Sequence, residues 1–188
     1  GVEKSVTAPM SLIISAFAPV LDVRKTVTPQ LRTDQGNTAL FLLDLGNGKN
    51  RLGASALAQV FGQIGSEAPD LDQPQQLAQF FALLQDALEQ DLLLAYHDRS
   101  DGGLWATVAE MAFAGRCGVD VSLVGLGDDP LAALFAEEPG AVLQVSVDAI
   151  DTLQQLAEKY QLSACLHRIG FINGDDCLRV LDGSNAVL

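Results

Sequence analysis

Residues 92–114 read LLLAYHDRSDGGLWATVAEMAFA, and this stretch decides the fold class. The apolar run Leu92–Tyr96 is typical of a short buried strand. A polar loop, His97–Gly103, follows it, and Leu104–Ala114 then predicts a helix that ends at Gly115. A strand joined to a helix by a short glycine-bearing loop is a building unit of layered domains that mix α and β structure.

The flanking segments predict further strands and helices in mixed order. Strands are predicted, from β-branched or continuous apolar runs, at Ser11–Val20, Thr38–Leu45, Val119–Val124, Ala141–Val147, Cys165–Phe171 and Leu178–Leu181. Helices are predicted, from apolar residues at helical spacing, at Ala54–Ile64, Gln75–Gln90, Pro130–Ala136 and Ile150–Tyr160. The turn at residues 173–176 predicts that the last two strands form a hairpin, and Asp148 is expected to cap the last helix.

The composition of the 188 residues limits the classes of function. Hydrophobic residues make up 48% of the chain, which favours a packed core over disorder. The net charge of -13 disfavours nucleic acid as a partner. The longest apolar runs are too short to span a bilayer, and no signal peptide opens the chain, so a cytoplasmic protein is predicted. Three widely spaced cysteines without a CxxC pair indicate reduced thiols.

The His97–Gly103 loop combines groups that suit a phosphate and a divalent cation. A helix start presents free amide hydrogens and a partial positive charge, and Gly102 and Gly103 would let a phosphate approach the backbone closely. Asp98 is a hard oxygen donor of the kind that Mg²⁺ prefers, and Ser100 can donate to a phosphate oxygen. These residues therefore form the first candidate site.

A structural interpretation of the same loop stays open. Asp101 is a second hard donor, but it can instead cap the following helix. Asp98 can be a turn residue. His97 can act in proton transfer, hold the loop, or bond a neighbouring carbonyl. A glycine pair before a helix is not a specific signal on its own.

A second candidate is the segment Asn50–Ser55, which reads NRLGAS and precedes another predicted helix. Arg51 could reach a phosphate, with Gly53 and the Ser55 hydroxyl lining it. The residues by themselves favour a capped helix with a solvated arginine. The turn Glu137–Gly140 is likewise expected to be solvated.

Several segments, in chain order, resemble the family of large single-chain phosphoribosylformylglycinamidine synthases. They are Gly1–Pro9 (GVEKSVTAP), Phe17–Val20 (FAPV), Val27–Leu31 (VTPQL), Arg51–Val60 (RLGASALAQV), His97–Gly103 (HDRSDGG) and Ala109–Gly115 (AEMAFAG). The His97–Gly103 loop alone resembles a wider superfamily. That group includes aminoimidazole ribonucleotide synthase, thiamine-monophosphate kinase, selenophosphate synthase and a hydrogenase-maturation protein.

The resemblance implies a fold and a place within a larger enzyme. It implies an α+β, three-layer mixed-sheet domain of the aminoimidazole ribonucleotide synthase C-terminal type, partly ferredoxin-like, over residues 31–188. Residues 1–30 would be the last strand and connector of a preceding ATPase-type domain. Because the chain opens on Gly1 in what reads as mid-protein sequence, we expect an excised piece that is inactive alone.

The resemblance also implies chemistry. The family is a ligase of purine biosynthesis that uses ATP, Mg²⁺ and glutamine to convert formylglycinamide ribonucleotide to the amidine. The partners would be the ATPase-type and glutaminase domains of the same polypeptide and a small-molecule substrate. Asp98 matches a Mg²⁺ ligand and Ser100 a nucleotide contact, while no catalytic residue is assigned. The ATP or ADP bound at this loop would be either a reacting or a structural nucleotide. An alternative to the ligase is a nucleotide-binding docking module of that enzyme, or another ATP-using member of the superfamily. One departure is Ala54, where many relatives have glycine.

Overall fold

The computed structural model describes residues 12–20 and 22–187, and this part of the chain forms one seven-stranded sheet. The strands are β1 (Thr38–Asp44), β2 (Leu93–Asp98), β3 (Gly118–Ser122), β4 (Gly140–Ser146), β5 (Leu166–Asn173), β6 (Leu178–Asp182) and β7 (Asn185–Ala186). Their order is β2-β4-β1-β5-β3-β6-β7. Neighbouring strands are antiparallel except β3 and β6, which run parallel, so the sheet is mixed.

Helices cover both faces of the sheet. They are α1 (Ala56–Val60), α2 (Pro74–Glu89), α3 (Gly103–Gly115), α4 (Pro130–Phe135) and α5 (Ile150–Lys159), with single 3₁₀ turns at Val23–Lys25, Val147–Ala149 and Ser163–Cys165. Residues of α3 and α4 share one buried cluster with the sheet, and residues of α2 and α5 share the other. The arrangement is therefore helix, sheet, helix, and the predicted three-layer α+β class is confirmed.

Strand β1 lies between β4 and β5 in the sheet and is buried along its whole length. Leu40 and Leu42 pack into the cluster that contains α3 and α4, whereas Phe41 and Leu43 pack into the cluster that contains α2 and α5. Successive side chains of a strand point to opposite faces, so a continuous apolar run is what a strand covered on both faces requires. The sequence signal for this strand was accordingly correct.

The predicted strand Ser11–Val20 is wrong for the residues that the structure describes. Residues 12–20 have no strand or helix, and Ser11 lies outside the described residues. The large side chains of this segment are exposed, as Ile13 at 92% and Phe17 at 95% show. A strand forms only where another strand offers free backbone groups, and within the described residues this segment pairs with none.

Residues 26–32 belong to the packed domain in spite of their polar composition. The Tyr96 amide donates to the Thr28 carbonyl at 3.0 Å, and Leu31 is only 2% exposed. The side chain of Gln144 accepts from the Arg32 amide at 2.8 Å and donates to the Arg32 carbonyl at 2.9 Å. The predicted division of the chain at residue 30 stays a prediction. Any shortened form of the chain would have to keep these contacts.

Three predictions about the connections and ends of strands and helices were wrong. β5 and β6 do not form a hairpin, because β3 lies between them and pairs with both. Asp148 does not cap α5, whose N-terminal neighbour is Ala149 at the end of a 3₁₀ turn. The predicted helix at residues 54–64 is shorter, since α1 ends before Gly62, which adopts a φ of +66°.

None of the helices in the described part of the chain is long and apolar enough to cross a membrane.

Candidate functional site

The first candidate loop begins at the end of the edge strand β2. Asp98 is the last residue of β2 and lies opposite Ala141 of β4. The loop ends at Gly102, which precedes α3 with a φ of +84°, and at Gly103, with a φ of +66°. The side chains of Asp98, Ser100 and Asp101 are exposed. The loop thus presents two carboxylates and a hydroxyl to solvent at one corner of the sheet.

Arg99 holds this loop against the body of the domain, and sequence reasoning did not single it out. Its guanidinium forms a buried ion pair with Asp44 at the end of β1. It also donates to the Glu138 carbonyl at 2.7 Å, and the Arg99 amide donates to the Gly140 carbonyl at 2.8 Å. The available signal was strand alternation, because a residue that follows an outward Asp98 in extended backbone points inward.

Gly102 and Gly103 are required by packing. A Cβ on Gly103 would lie 2.7 Å from the Leu134 carbonyl oxygen and 2.8 Å from that of Ala136, at the end of α4. A Cβ on Gly102 would lie 2.7 Å from the Ala106 Cβ. Gly103 therefore lets α3 approach the end of α4, whereas Gly102 avoids a side chain of α3 itself. The positive φ angles of both residues add a second reason for glycine.

The amide hydrogen expected to meet a phosphate is already bonded within the domain. Glu137 Oε1 accepts from the Gly102 amide at 2.8 Å and from the Ala56 amide at 2.8 Å. One carboxylate thus occupies the starts of both α3 and α1, where the unpaired amides favour a negative group. The interpretation in which Asp101 caps α3 is wrong, because the residue before α3 is Gly102 and the helix start has no side-chain cap.

Glu137 also brings the two candidate segments together, since α1 directly follows Asn50–Ser55. In that segment Ser55 is the N-cap of α1, with its hydroxyl oxygen 3.2 Å from the Ala58 amide. Gly53 lies against the backbone of Glu67, whose carbonyl accepts from the Gly53 amide at 2.6 Å. Ser55 therefore caps the helix, as the structural interpretation predicted, whereas Gly53 allows a close approach to the backbone at residues 67–68.

The prediction of a solvated Arg51 is wrong. Arg51 is 6% exposed, and its guanidinium lies 2.7 Å from Glu138 Oε2 and 3.3 Å from Asp72. The Nη2 atom that makes these contacts also donates to the Asp70 carbonyl oxygen at 2.7 Å. The hydrogen bond to Glu138 raises the pKa of the Arg51 guanidinium above its usual range. The Arg51 guanidinium is therefore buried and paired with two carboxylates of the domain, which disfavours it as a phosphate-binding group.

The prediction that the turn Glu137–Gly140 is solvated is also wrong. Glu138 has no exposed surface, and Glu137 is half-buried. The polar groups of this turn hold both candidate segments, through Arg51 and Arg99 on one side and the two helix starts on the other. The turn is thus the common support of the site.

The described residues supply at most a partial cation site. They include no cluster of three or more histidine, cysteine or acidic side chains placed to hold a metal ion. Asp98 nonetheless fits a single Mg²⁺ ligand, because its carboxylate is exposed and Mg²⁺ takes few protein carboxylates when phosphates and waters complete its shell.

Ala54 has an unfavourable backbone conformation at the start of α1. Its φ is +60°, in the left-handed region that costs a residue with a Cβ about 1–2 kcal/mol. Ala54→Gly is therefore expected to raise the free energy of unfolding by about 1 kcal/mol, and urea denaturation measures it. Ala58→Gly, inside α1, is the matched control and should lower stability by about 0.5–1 kcal/mol. A loss of stability in both variants would contradict the strain at Ala54.

The fold and the loops define an α+β domain that carries two polar segments on a shared acidic turn. Residues 39–182 match the family described as AIR synthase related protein, C-terminal domain. The chain belongs to this family.

Solved structures with the same fold come from larger proteins. Thermotoga maritima PurL complexed with ATP has 14% identity and a TM-score of 0.67 over 88% of this chain and 26% of its own. PurLQS from Thermotoga maritima has 13% identity and a TM-score of 0.69 over 89% and 27%. Escherichia coli HypE, a hydrogenase maturation protein, has 19% identity and a TM-score of 0.60 over 86% and 50%. The chain thus spans about a quarter of the PurL chains and half of HypE.

Proposed function

We propose that this chain is part of a phosphoribosylformylglycinamidine synthase. That enzyme is the ATP- and glutamine-dependent ligase that converts formylglycinamide ribonucleotide to the amidine in de novo purine biosynthesis in the cytoplasm. Family membership over residues 39–182 supports the proposal, as do the chain-wide sequence resemblance and the fold shared with PurL. The PurL structures include complexes with ATP, with ADP and with FGAR.

The observation that carries the proposal is the state of the His97–Gly103 loop. Hydrogen bonds of the Arg99 and Glu137 side chains fix its backbone to the domain, while Asp98 and Ser100 remain exposed. A loop held in this way can present a carboxylate and a hydroxyl without the entropy cost of ordering them on binding. Asp98 would hold Mg²⁺ and Ser100 would bond a phosphate of ATP or ADP.

The remaining parts of the site would come from elsewhere in the same polypeptide. One carboxylate rarely holds Mg²⁺ without the nucleotide's phosphates and further ligands. When bound, ATP with Mg²⁺ supplies the phosphoryl group that activates an amide oxygen, and a glutaminase domain supplies ammonia. We expect the chain by itself to be inactive, because the ATPase-type and glutaminase domains are the other necessary partners.

Asp98→Asn in the complete enzyme is the test. It removes the negative charge while keeping the side chain's shape, so we expect at least about a tenfold loss of synthetase turnover or of retained ADP. Asp101→Asn is the matched control, because Asp101 is also exposed in the same loop but is not the residue that matches the Mg²⁺ ligand. It should change neither quantity by more than about twofold. If Asp98→Asn leaves both turnover and bound ADP unchanged, the metal-ligand assignment is wrong.

A second candidate function is a docking module whose loop closes over a nucleotide that never reacts. The engagement of the Gly102 amide by Glu137 favours it, because the start of α3 then offers one donor fewer to a phosphate. Exchange of radiolabelled ADP with the purified complete enzyme separates the two. ADP that survives purification and does not exchange supports the docking module, and exchange during turnover supports a reacting site.

A further inference from the structure

His97 lies between two carboxylates at the end of β2. Its Nε2 atom is 2.6 Å from Glu110 Oε2 on α3, and its Nδ1 atom is 3.5 Å from Asp98 Oδ1. The two carboxylates are 62% and 66% exposed, whereas the imidazole is only 14% exposed. Within the described part of the chain, Nδ1 is buried and has no hydrogen-bond partner.

The contact with Glu110 selects the tautomer of the ring. An ionised carboxylate only accepts hydrogen bonds, so in the neutral form of the ring Nε2 carries the proton and Nδ1 keeps a lone pair. That lone pair faces Asp98 Oδ1, which is also an acceptor, and two acceptors form no hydrogen bond. In the other tautomer Nδ1 would donate toward Asp98 and occupy one of its acceptor positions.

The same face of α3 also holds the backbone of Asp98. Thr107 lies three residues before Glu110, and residues at this spacing are neighbours on a helix. The Thr107 hydroxyl donates to the Gly103 carbonyl at 3.0 Å and lies 3.4 Å from the Asp98 carbonyl. Two α3 side chains therefore converge on the end of β2, one at its backbone and the other at the His97 ring.

We propose that Glu110 is a positioning residue for Asp98, acting through His97. By fixing the Nε2-protonated tautomer, Glu110 leaves both oxygens of Asp98 available as acceptors for a divalent cation. The tautomer assignment concerns this chain alone, whereas its consequence for cation binding rests on the proposed function. Mutation of an outer side chain that orients a metal ligand typically costs about 10- to 100-fold in metal affinity.

The tautomer can be read directly by ¹⁵N NMR of the imidazole rings at a pH high enough for each ring to carry one proton. The chain has two histidines, so His167→Gln assigns the His97 signals. We expect a protonated Nε2 in the wild type, a shift toward protonated Nδ1 in Glu110→Ala, and the wild-type pattern in Glu110→Gln, whose amide oxygen can still accept. A protonated Nδ1 in the wild type, or an unchanged ring in Glu110→Ala, would overturn the inference.

The complete enzyme tests the consequence. Glu110→Ala is expected to raise the Mg²⁺ concentration for half-maximal turnover by about tenfold, with kcat at saturating Mg²⁺ largely kept, and Glu110→Gln should restore the wild-type value. An unchanged Mg²⁺ dependence in Glu110→Ala, alongside an impaired Asp98→Asn enzyme, defeats the positioning role alone. If Asp98→Asn is also unimpaired, the role proposed for Asp98 is what fails.

Discussion

Glu138→Gln is expected to lower the free energy of unfolding by about 3 kcal/mol, the lower end of the range for breaking a buried ion pair. The change keeps the shape of the side chain but removes the charge that Arg51 faces at 2.7 Å in a site where Glu138 has no exposed surface. Asp72, 3.3 Å from the guanidinium, compensates part of the loss. Urea denaturation followed by circular dichroism measures the change.

A matched exposed pair separates burial from distance. Arg32 and Asp34 also lie 2.7 Å apart, but their side chains are 45% and 62% exposed. Asp34→Asn should therefore cost far less stability than Glu138→Gln. The double variant Arg51→Met with Glu138→Leu should recover part of the stability lost in Glu138→Gln, because it leaves no unpaired buried charge. Equal losses for Glu138→Gln and Asp34→Asn would show that burial does not set the strength of this pair.

Gly103→Ala is expected to lower the free energy of unfolding by about 3 kcal/mol. A positive φ costs alanine about 1–2 kcal/mol, and forcing its methyl group against a packed backbone costs a further 1–3 kcal/mol or so. The obstacles are carbonyl oxygens at the end of α4, at 2.7 and 2.8 Å from the added Cβ, so no flexible side chain can yield. Thermal and urea unfolding measure the loss.

Gly48→Ala is the control for the backbone component. Gly48 has a φ of +73° and no atom within 4 Å of an added Cβ, so its substitution should cost only about 1 kcal/mol. The difference between the two variants is the energy of the approach between α3 and α4. If both variants lose the same stability, α4 moves away without cost and the glycine at position 103 is needed for its φ angle alone.

The sequence predicted the elements whose signal is local. The continuous apolar run of β1 and the helical spacing of apolar residues in α2 are both visible within a short stretch of sequence. Each element formed within two residues of its predicted bounds. The short loop after β2 was found for the same reason. These patterns are predictive because the order of apolar and polar residues along a segment indicates which of its faces are buried.

The partners of the charged side chains could not be read in this way. Arg51 and Glu138 are 87 residues apart, and Arg99 and Asp44 are 55 apart. From the sequence, Arg51 and Glu138 were expected to be solvated, with a phosphate as an alternative partner for Arg51, and neither Arg99 nor Asp44 was singled out. The hairpin prediction failed similarly, because a turn between β5 and β6 does not exclude the insertion of β3 between them.

For the His97–Gly103 loop, the sequence by itself determined the polar residues, the glycine pair and the position between a strand and a helix. The tertiary structure decided which of those groups remain free: Glu137 occupies the Gly102 amide, and Arg99 turns inward to Asp44. The physical reason is that a local pattern specifies donors and acceptors, while contacts between distant segments determine which of them are already satisfied.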